Sequence, residues 1–266
     1  MDPTGSVHEG LVNAAPVVLA GESVASMVRA AERVCGTPDL LLAIVGGFAV
    51  TCQLGRVHRA TGDVDMVADE LATASAGGSS ARALVELGIA RPDPGGKDHR
   101  VFVDGTKLEI IETQELHEGV GEIDSTLDRL FLLGHRWALV TAEPTRVSVA
   151  ATSIDVTLPI ATPAALVATK LHAFCDRPRD EKRASDAYDI YRLVEIHDRD
   201  GAIASALNEG PCGLAEKVHE LAVDKFVENA ERVIRYMKVY GEPAWGEITA
   251  EDLRRVIGAL VAALRT

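Results

Sequence analysis

Two aspartates separated by one residue, Asp63 and Asp65 in "TGDVDMVAD", are well placed to do chemistry. Their apolar neighbours predict a β-strand, in which side chains alternate between faces. Both carboxylates then point the same way, with Cα atoms roughly 7 Å apart. Carboxylates that converge repel each other unless a cation lies between them. Oxygen ligands of this kind suit Mg²⁺, which proteins bind through one or two carboxylates plus substrate phosphates. We therefore predict a metal site at Asp63 and Asp65.

A pair of glycines, Gly46 and Gly47, stands earlier in the chain, where the apolar run "LLLAIV" gives way to "FAVTCQLG". This pattern predicts a strand followed by a short helix. Backbone without side chains approaches a phosphate closely, and the start of a helix presents unpaired N–H groups and the positive end of its dipole. Arg59 and Thr61 would add a guanidinium and a hydroxyl to the same opening. Glycines and carboxylates together predict a nucleoside triphosphate site.

A calcium loop and a dinucleotide-binding turn both fit this stretch less well. An EF-hand calcium loop needs a glycine at its sixth position and a glutamate at its twelfth, and both are missing after Asp63. A dinucleotide-binding turn needs Gly-x-Gly-x-x-Gly after the strand, which is also missing. A lone Gly-Gly is often only a turn, and a lone Asp-x-Asp is often a solvated strand end. The prediction therefore depends on the two motifs occurring close together in this order.

A second charged group occurs in "TPAALVATKLHAFCDRPRDEKRASDAYDI". Thr162 and Pro163 predict the start of a helix, because threonine caps helices and proline fits the first turn. Lys170 follows in that helix among apolar neighbours, so its ammonium needs a partner: Asp186, Asp189 or a triphosphate. Asp186 and Asp189 are three residues apart, which places both on one face of the next helix.

The order of these motifs resembles the signature of polymerase-β-type nucleotidyltransferases: Gly-Gly or Gly-Ser, a short helix, then Asp-x-Asp on the next strand. The longer form Arg-x-Thr-x-Asp-x-Asp, here from Arg59 to Asp65, resembles the AbiEii/MenT group of nucleotidyltransferase toxins. The later lysine, arginine and Asp-x-x-Asp, with Arg177 as the arginine, also match that group. A third carboxylate often follows on a later strand, and Glu109 in "KLEII" has this setting, although the usual residue is aspartate.

The resemblance implies transfer of a nucleotide from an NTP to an acceptor, with release of pyrophosphate. Mg²⁺ or Mn²⁺ is the implied cofactor, held by Asp63 and Asp65. The implied catalytic residues are Asp63, Asp65, Glu109, Lys170, Asp186 and Asp189. The implied nucleotide-binding residues are Gly46, Gly47, Arg59, Thr61 and Arg177. Lys170 would neutralise charge on the leaving pyrophosphate, and the Asp-x-x-Asp pair would orient Lys170 or the acceptor.

By the same resemblance the acceptor is a tRNA 3′ end, and the protein is a translation-blocking toxin with a cognate antitoxin protein. The net charge of −13, from 27 Lys+Arg against 40 Asp+Glu, repels nucleic acid on average. The sequence nevertheless contains a dense basic tract: Arg177, Arg179, Lys182 and Arg183. Two alternatives stay open: a small-molecule nucleotidyltransferase of the kind that inactivates antibiotics, and a catalytically idle nucleotide-binding regulatory protein.

The chain of 266 residues, 47% of them hydrophobic, predicts an α/β (α+β) fold. We expect a flexible tail at 1–20, a nucleotidyltransferase α/β domain with a mixed sheet at 21–160, and a helical domain at 161–266 that completes the active site. Asp104-Gly105 predicts a hairpin within "RVFVDGTKLEII". The segments "RWALV", "RVSVA" and "IDVTLPI" predict short strands.

The cellular setting is predicted from what the sequence lacks. No apolar run reaches the roughly 20 residues that span a bilayer, and the N-terminus has no secretory pattern. The four cysteines are scattered and form no Cys-x-x-Cys pair, which argues against structural zinc. A reduced, cytoplasmic location without a membrane partner is the expectation.

Overall fold

The computed structural model describes residues 15–69, 79–113 and 125–265 of the chain. Within them an eight-stranded sheet has the order β1-β7-β8-β2-β3-β6-β5-β4. The strands are β1 (Val17–Leu19), β2 (Leu42–Val45), β3 (Asp63–Asp69), β4 (Arg91–Pro92), β5 (Arg100–Val103), β6 (Thr106–Thr113), β7 (Glu143–Val149) and β8 (Asp155–Ile160).

The α-helices of the described residues flank and follow this sheet. They are α1 (Glu22–Cys35), α2 (Gly46–Leu54), α3 (Ser80–Glu86), α4 (Thr126–Val140), α5 (Pro163–Asp176), α6 (Asp180–His197), α7 (Ala202–Glu209), α8 (Leu214–Ala222), α9 (Ala230–Tyr240) and α10 (Ala250–Ala263). A π-helical segment (Val223–Glu228) joins α8 to α9. No helix in the described ranges is long and apolar enough to cross a membrane.

The sheet is mixed, as the sequence predicts, and its central strands position the aspartates. Strand β3 runs antiparallel to β2 and parallel to β6. The β3–β6 register sets Asp63 opposite Lys107 and Asp65 opposite Glu109. The hairpin predicted at Asp104-Gly105 is confirmed, since it joins β5 to β6. Asp63 and Asp65 on β3 are therefore close to Glu109 on the neighbouring strand β6.

Helix α2 begins directly where β2 ends. Every residue of β2 is buried, and Gly46 takes a left-handed conformation (φ +71°) at the junction between strand and helix. The helix then packs against α5 and α6, with Phe48 fully buried. This packing brings the glycines next to the helices that carry Lys170 and the Asp-x-x-Asp pair.

From Pro163 onward the described chain forms helices and turns. Thr162 accepts a hydrogen bond from Ala165 N (3.4 Å), which confirms the predicted cap of α5. Thr249 forms a reciprocal capping box with Asp252 at the start of α10. The change from strands to helices falls between Ile160 and Pro163. The division into domains at this point stays a prediction.

Two sequence predictions are wrong. "RWALV" (136–140) is the end of helix α4, not a strand; the buried Leu130, Leu133 and Trp137 continue a helical spacing that the short apolar run concealed. The tail predicted at 1–20 is too long, because Val17–Leu19 pair in parallel with β7 and Leu19 is buried. Residues 1–14 of that tail lie outside the described residues.

Candidate active site

Three carboxylates, those of Asp63, Asp65 and Glu109, line one pocket from neighbouring strands, and we call them the acidic patch. Lys107 lies between two of them: its Nζ is 2.7 Å from Asp63 Oδ2 and 3.3 Å from Glu109 Oε1. Arg100, opposite Glu109 on β5, donates to Glu109 Oε1 through Nε (2.9 Å) and Nη2. Two of the three acids are therefore neutralised by cations of the protein.

The three carboxylates differ in their proton affinity. Partial burial raises the pKa of Asp63, but the hydrogen bond and charge of Lys107 outweigh it and the net pKa is lowered. The pKa of Glu109 is lowered in the same way, with burial outweighed by Arg100 and Lys107. Asp65 makes no ion pair with a described residue, and burial together with the charge of Asp63 raises its pKa to about 6. Asp65 is thus the acid of the patch that has no ion-pair partner in the described part of the chain.

The glycines are required by the side chains of the site itself. A Cβ on Gly46 would lie 2.0 Å from Asp65 Oδ2, and one on Gly47 would lie 2.5 Å from Arg59 Nη2. Only residues without side chains let Asp65 and Arg59 take these positions. No side chain caps the N-terminus of α2 in the described structure. The predicted contact of this backbone with phosphate stays a prediction.

A buried ionic cluster shares the pocket with the patch, where α5 packs against α6. Lys170 Nζ is 2.8 Å from both Asp186 Oδ1 and Asp189 Oδ2, and all three residues are at most 4% exposed. Burial lowers the pKa of Lys170, but the two carboxylates outweigh it, so the net pKa is raised and the ammonium keeps its proton. Arg177 Nε donates to Asp186 Oδ2 (2.6 Å). Of the partners predicted for Lys170, both aspartates are present.

Asp189 joins this cluster to the glycine turn. Arg59 grips it with two hydrogen bonds, Nε to Oδ1 (2.8 Å) and Nη2 to Oδ2 (2.6 Å). His58 Nε2 lies 2.7 Å from Asp189 Oδ1, and its Nδ1 lies 3.4 Å from Thr51 Oγ1. Burial opposes ionisation of Asp189, but Lys170 and Arg59 outweigh it and hold its pKa well below the usual range. The predicted residue Arg59 is therefore fixed by a protein carboxylate.

The acidic patch, Arg59 and Lys170 line a cleft of about 390 Å³. Among the described residues, its charged lining comprises eight basic residues (Arg59, Lys97, Arg100, Lys107, Lys170, Arg177, Arg179, Lys182) and four acidic ones (Asp63, Asp65, Glu109, Asp186). Gly47 and Thr61 also line it, whereas Gly46, which is next to Asp65, and Asp189, which pairs with Lys170, are not part of the lining. A basic cleft in a chain of net charge −13 concentrates anions locally.

Whether the acidic patch suits a divalent metal follows from its donors. No group of three or more His, Cys, Asp or Glu in the described ranges is arranged to hold a metal ion. Asp63 and Asp65 nevertheless offer carboxylates at a basic cleft, and Asp65 forms no ion pair with any residue that the structure describes. Mg²⁺ typically uses one or two carboxylates and completes its shell with waters and substrate phosphates. The residues fit a metal that arrives with a phosphate ligand.

Sequence reasoning missed Lys107, Arg100 and His58. Lys107 was detectable, because it stands two residues before Glu109 on a strand and so shares its face. Arg100 could be placed opposite Glu109 only with the hairpin register. His58 carries no local signal, since its partner Asp189 lies 131 residues further along the chain.

A mixed sheet with adjacent carboxylates beside a basic cleft is the arrangement expected of a nucleotidyltransferase. Residues 30–226 match the family model described as "Nucleotidyl transferase AbiEii toxin, Type IV TA system". The chain therefore belongs to the AbiEii family of nucleotidyltransferase toxins, a family of type IV toxin–antitoxin systems. No curated protein sequence is similar enough to count as a match.

Two of the solved structures that match this chain are distantly similar to it. One is the antibiotic-resistance factor ANT(2″)-Ia, with 16% identity over 81% of this chain and 91% of that chain, and a TM-score of 0.33. The other is an antigenic nucleotidyltransferase-like protein from Paracoccidioides brasiliensis, with 17% identity over 84% of this chain and 95% of that chain, and a TM-score of 0.43. Neither likeness is close enough to bear on the substrate.

Proposed function

We propose that this protein transfers a nucleotide from an NTP to the 3′ end of a tRNA, and that this modification is the toxic activity of a toxin–antitoxin pair. The observation that carries the proposal is the cleft, in which adjacent carboxylates lie beside eight basic side chains. Such a lining suits the charge of a triphosphate, and AbiEii membership supports the reaction class.

Each part of the cleft has a proposed role. Asp63 and Asp65 would hold the divalent metal, which when bound supplies charge neutralisation at the triphosphate and activates the acceptor hydroxyl. Arg177 and Lys182 would bind phosphate oxygens. Lys170, fixed by two carboxylates on the cleft wall, would stabilise negative charge that develops on the leaving pyrophosphate.

Arg59 and Glu109 are proposed in more indirect roles. Arg59 would hold Asp189, and through it Lys170, in place. Glu109 accepts from Arg100 and Lys107, and its lowered pKa makes it a poor proton acceptor. We therefore propose that Glu109 balances the charge of these two cations and does not serve as the general base.

The test is an acceptor screen. The protein would be incubated with each α-labelled NTP and Mg²⁺, first with bulk tRNA and then with aminoglycosides, with Asp65→Asn as the blank. Label that enters intact tRNA, but does not enter tRNA whose 3′-terminal nucleotides were removed before the reaction, supports the proposal. Label in the aminoglycoside instead assigns a small-molecule acceptor. Binding of NTP without transfer to either assigns a regulatory nucleotide-binding protein.

The antitoxin part of the proposal has its own test. Expression of the wild-type chain should arrest growth, expression of Asp65→Asn should not, and co-expression of a candidate antitoxin encoded beside this protein should restore growth. If the wild-type chain labels an acceptor but does not affect growth, the toxin role is ruled out and the enzymatic role is kept.

A further inference from the structure

We infer that Lys107 is an internal counter-ion that occupies the acidic patch and is displaced when a divalent cation binds there. The inference rests on the metal-dependent function proposed above. It assigns to Lys107 a positioning role: it holds Asp63 and Glu109 in place in the nucleotide-free protein and lowers their affinity for a metal.

The position of Lys107 carries this inference. Its ammonium bridges Asp63 Oδ2 (2.7 Å) and Glu109 Oε1 (3.3 Å), and so lies between two acids of the patch. The three side chains are 23–29% exposed, unlike the buried Lys170 cluster. Partly exposed ion pairs are weak and exchange readily. Lys107 can therefore give way to a stronger cation.

The local charge balance favours replacement over addition. With Lys107 and Arg100 in place, the three carboxylates of the patch keep one unbalanced negative charge, on Asp65. A divalent cation that replaces Lys107 brings the patch to neutrality. A divalent cation that binds beside Lys107 leaves a positive excess and two cations sharing Asp63. Mutual repulsion then expels the ammonium, which is the more weakly held cation.

A nucleotide gives the expelled ammonium a new partner. Lys107 lines the same cleft as Lys97, Arg100 and Lys182, where the triphosphate is proposed to bind. Phosphate oxygens there would accept from Lys107 while the metal takes Asp63. Metal and nucleotide then strengthen each other's binding, and binding linkage requires the effect to be reciprocal. The enzyme would stay poorly loaded with metal until a nucleotide is present.

The experiment measures Mn²⁺ affinity directly, by electron paramagnetic resonance titration of protein without nucleotide or acceptor. Lys107→Met removes the competing charge and should bind Mn²⁺ about tenfold more tightly than wild type, a modest change for the loss of one contacting charge. Lys107→Arg keeps the charge, so its Mn²⁺ affinity should stay as low as that of wild type. Lys97→Met is the matched control, because Lys97 lines the cleft but makes no ion pair with the patch. It should change the affinity far less.

The outcomes separate cleanly. Equal tightening in Lys107→Met and Lys97→Met would show a general field effect and overturn the inference. Unchanged or weaker Mn²⁺ binding in a Lys107→Met protein with a cooperative thermal transition would also overturn it. If Lys107→Met does not fold, Lys107→Gln takes its place in the same titration.

A second titration adds a non-hydrolysable NTP analogue. The analogue should raise Mn²⁺ affinity more in wild type than in Lys107→Met, because only the wild type has an ammonium to hand over to phosphate. Equal gains would overturn the exchange. If no variant binds Mn²⁺ even with the analogue, the proposed metal-dependent function itself fails. If the metal supports transfer but wild type and Lys107→Met have the same Mn²⁺ affinity, only the inference about Lys107 fails.

Discussion

At the scale of single residues, the acids of the patch are alike in type and different in state. Asp63 and Glu109 have cations within hydrogen-bonding distance, and Asp65 has none among the described residues. Burial and the charge of Asp63 raise the pKa of Asp65 to about 6, so its ionised form is held at a cost. Such a group gains most from an incoming cation.

Asp65→Asn should therefore separate activity from stability. It keeps the shape of the side chain and removes its charge, so transfer should fall roughly a hundredfold or more. The melting temperature in EDTA should rise, because repulsion from Asp63 is relieved. Asp69→Asn is the control on the same strand: Asp69 pairs with Arg136 (2.9 Å), outside the cleft, so its loss should cost stability and spare activity. Wild-type turnover in Asp65→Asn would rule out its metal role.

Gly46 gives a second residue-scale prediction with a close control. Gly46 and Gly55 bound helix α2 with similar φ values, +71° and +66°, but only a Cβ on Gly46 meets Asp65; none of the described atoms lies within 4 Å of one on Gly55. Either alanine should lower the free energy of unfolding by about 1 kcal/mol through backbone strain. Gly46→Ala should in addition displace Asp65 and abolish transfer. Equal activity in both variants would show that the approach to Asp65 is not critical.

At the scale of elements, the pairing of α5 with α6 is stabilised and constrained by charge. Lys170 comes from one helix and Asp186 and Asp189 from the other, all buried. Such a cluster holds its members in fixed positions, but removal of one member leaves charge without a partner in a medium that solvates it poorly.

Lys170→Met should accordingly lower both activity and stability, the latter on the order of 3 kcal/mol. The double variant Lys170→Met/Asp186→Asn removes one charge of each sign and should regain much of the melting temperature. Arg59 and His58 still pair with Asp189 in this variant, and Arg177 is partly exposed to water. Transfer per folded molecule should stay low in both. Recovery of transfer together with stability would make Lys170 a structural residue only.

Helix α4 carries a pH-dependent element. His135 is buried, it hydrogen-bonds the Phe131 carbonyl (2.8 Å), and burial lowers its pKa to about 4. The unfolded chain takes up this proton first, near the ordinary pKa of about 6.5, so stability falls as pH drops from about 6.5 to 4. The neighbouring His172, whose pKa burial also lowers, adds to the same trend and is itself influenced by Asp128 and Asp176.

His135→Leu should flatten that trend. Thermal melts between pH 6.5 and 5 should show a shallower fall of melting temperature than in wild type, because the variant has no imidazole to protonate at position 135. The exposed His99 provides the control, and His99→Leu should leave the slope unchanged. An unaltered slope in His135→Leu would mean that His135 is not kept neutral by the fold.

At the scale of the whole molecule, the charge of the cleft is opposite in sign to the net charge of the chain. The chain carries a net charge of −13, yet the described lining of the cleft has eight basic residues and four acidic ones. Arg179, the residue just before α6, and Lys182, in the first turn of α6, line the cleft and belong to the basic tract that the sequence shows. A long polyanion is repelled everywhere except along such a tract, whereas a small acceptor has no long phosphate backbone to be gripped there.

A salt titration of acceptor affinity tests this distribution. If tRNA binds, Arg179→Glu/Lys182→Glu should weaken binding and flatten the dependence of log Kd on log salt by roughly one unit for each lost phosphate contact. Arg29→Glu/Arg235→Glu is the matched control, because it reverses the same charge at exposed sites outside the cleft lining. Equal, shallow slopes for all three proteins would count against tRNA and favour a small-molecule acceptor.

Relations between near neighbours in the chain could be predicted from the sequence alone. Strand alternation set Asp63 and Asp65 on one face, the spacing of Asp186 and Asp189 set both toward Lys170, and Thr162 marked the start of α5. These relations follow from the period of a strand, the period of a helix and the chemistry of helix caps. All three act within a short segment of chain.

Tertiary packing, in contrast, settles which charge meets which. Arg59 is held by Asp189 across 130 residues, and Lys107 reaches Asp63 because β3 and β6 pair in one particular register. "RWALV" likewise became helical because its apolar residues extend the buried face of α4. Short-range patterns carry no information on register or on helix packing, since these are set by the burial of the whole core. The chemistry of each acid at the site is therefore decided by neighbours that the local sequence does not contain.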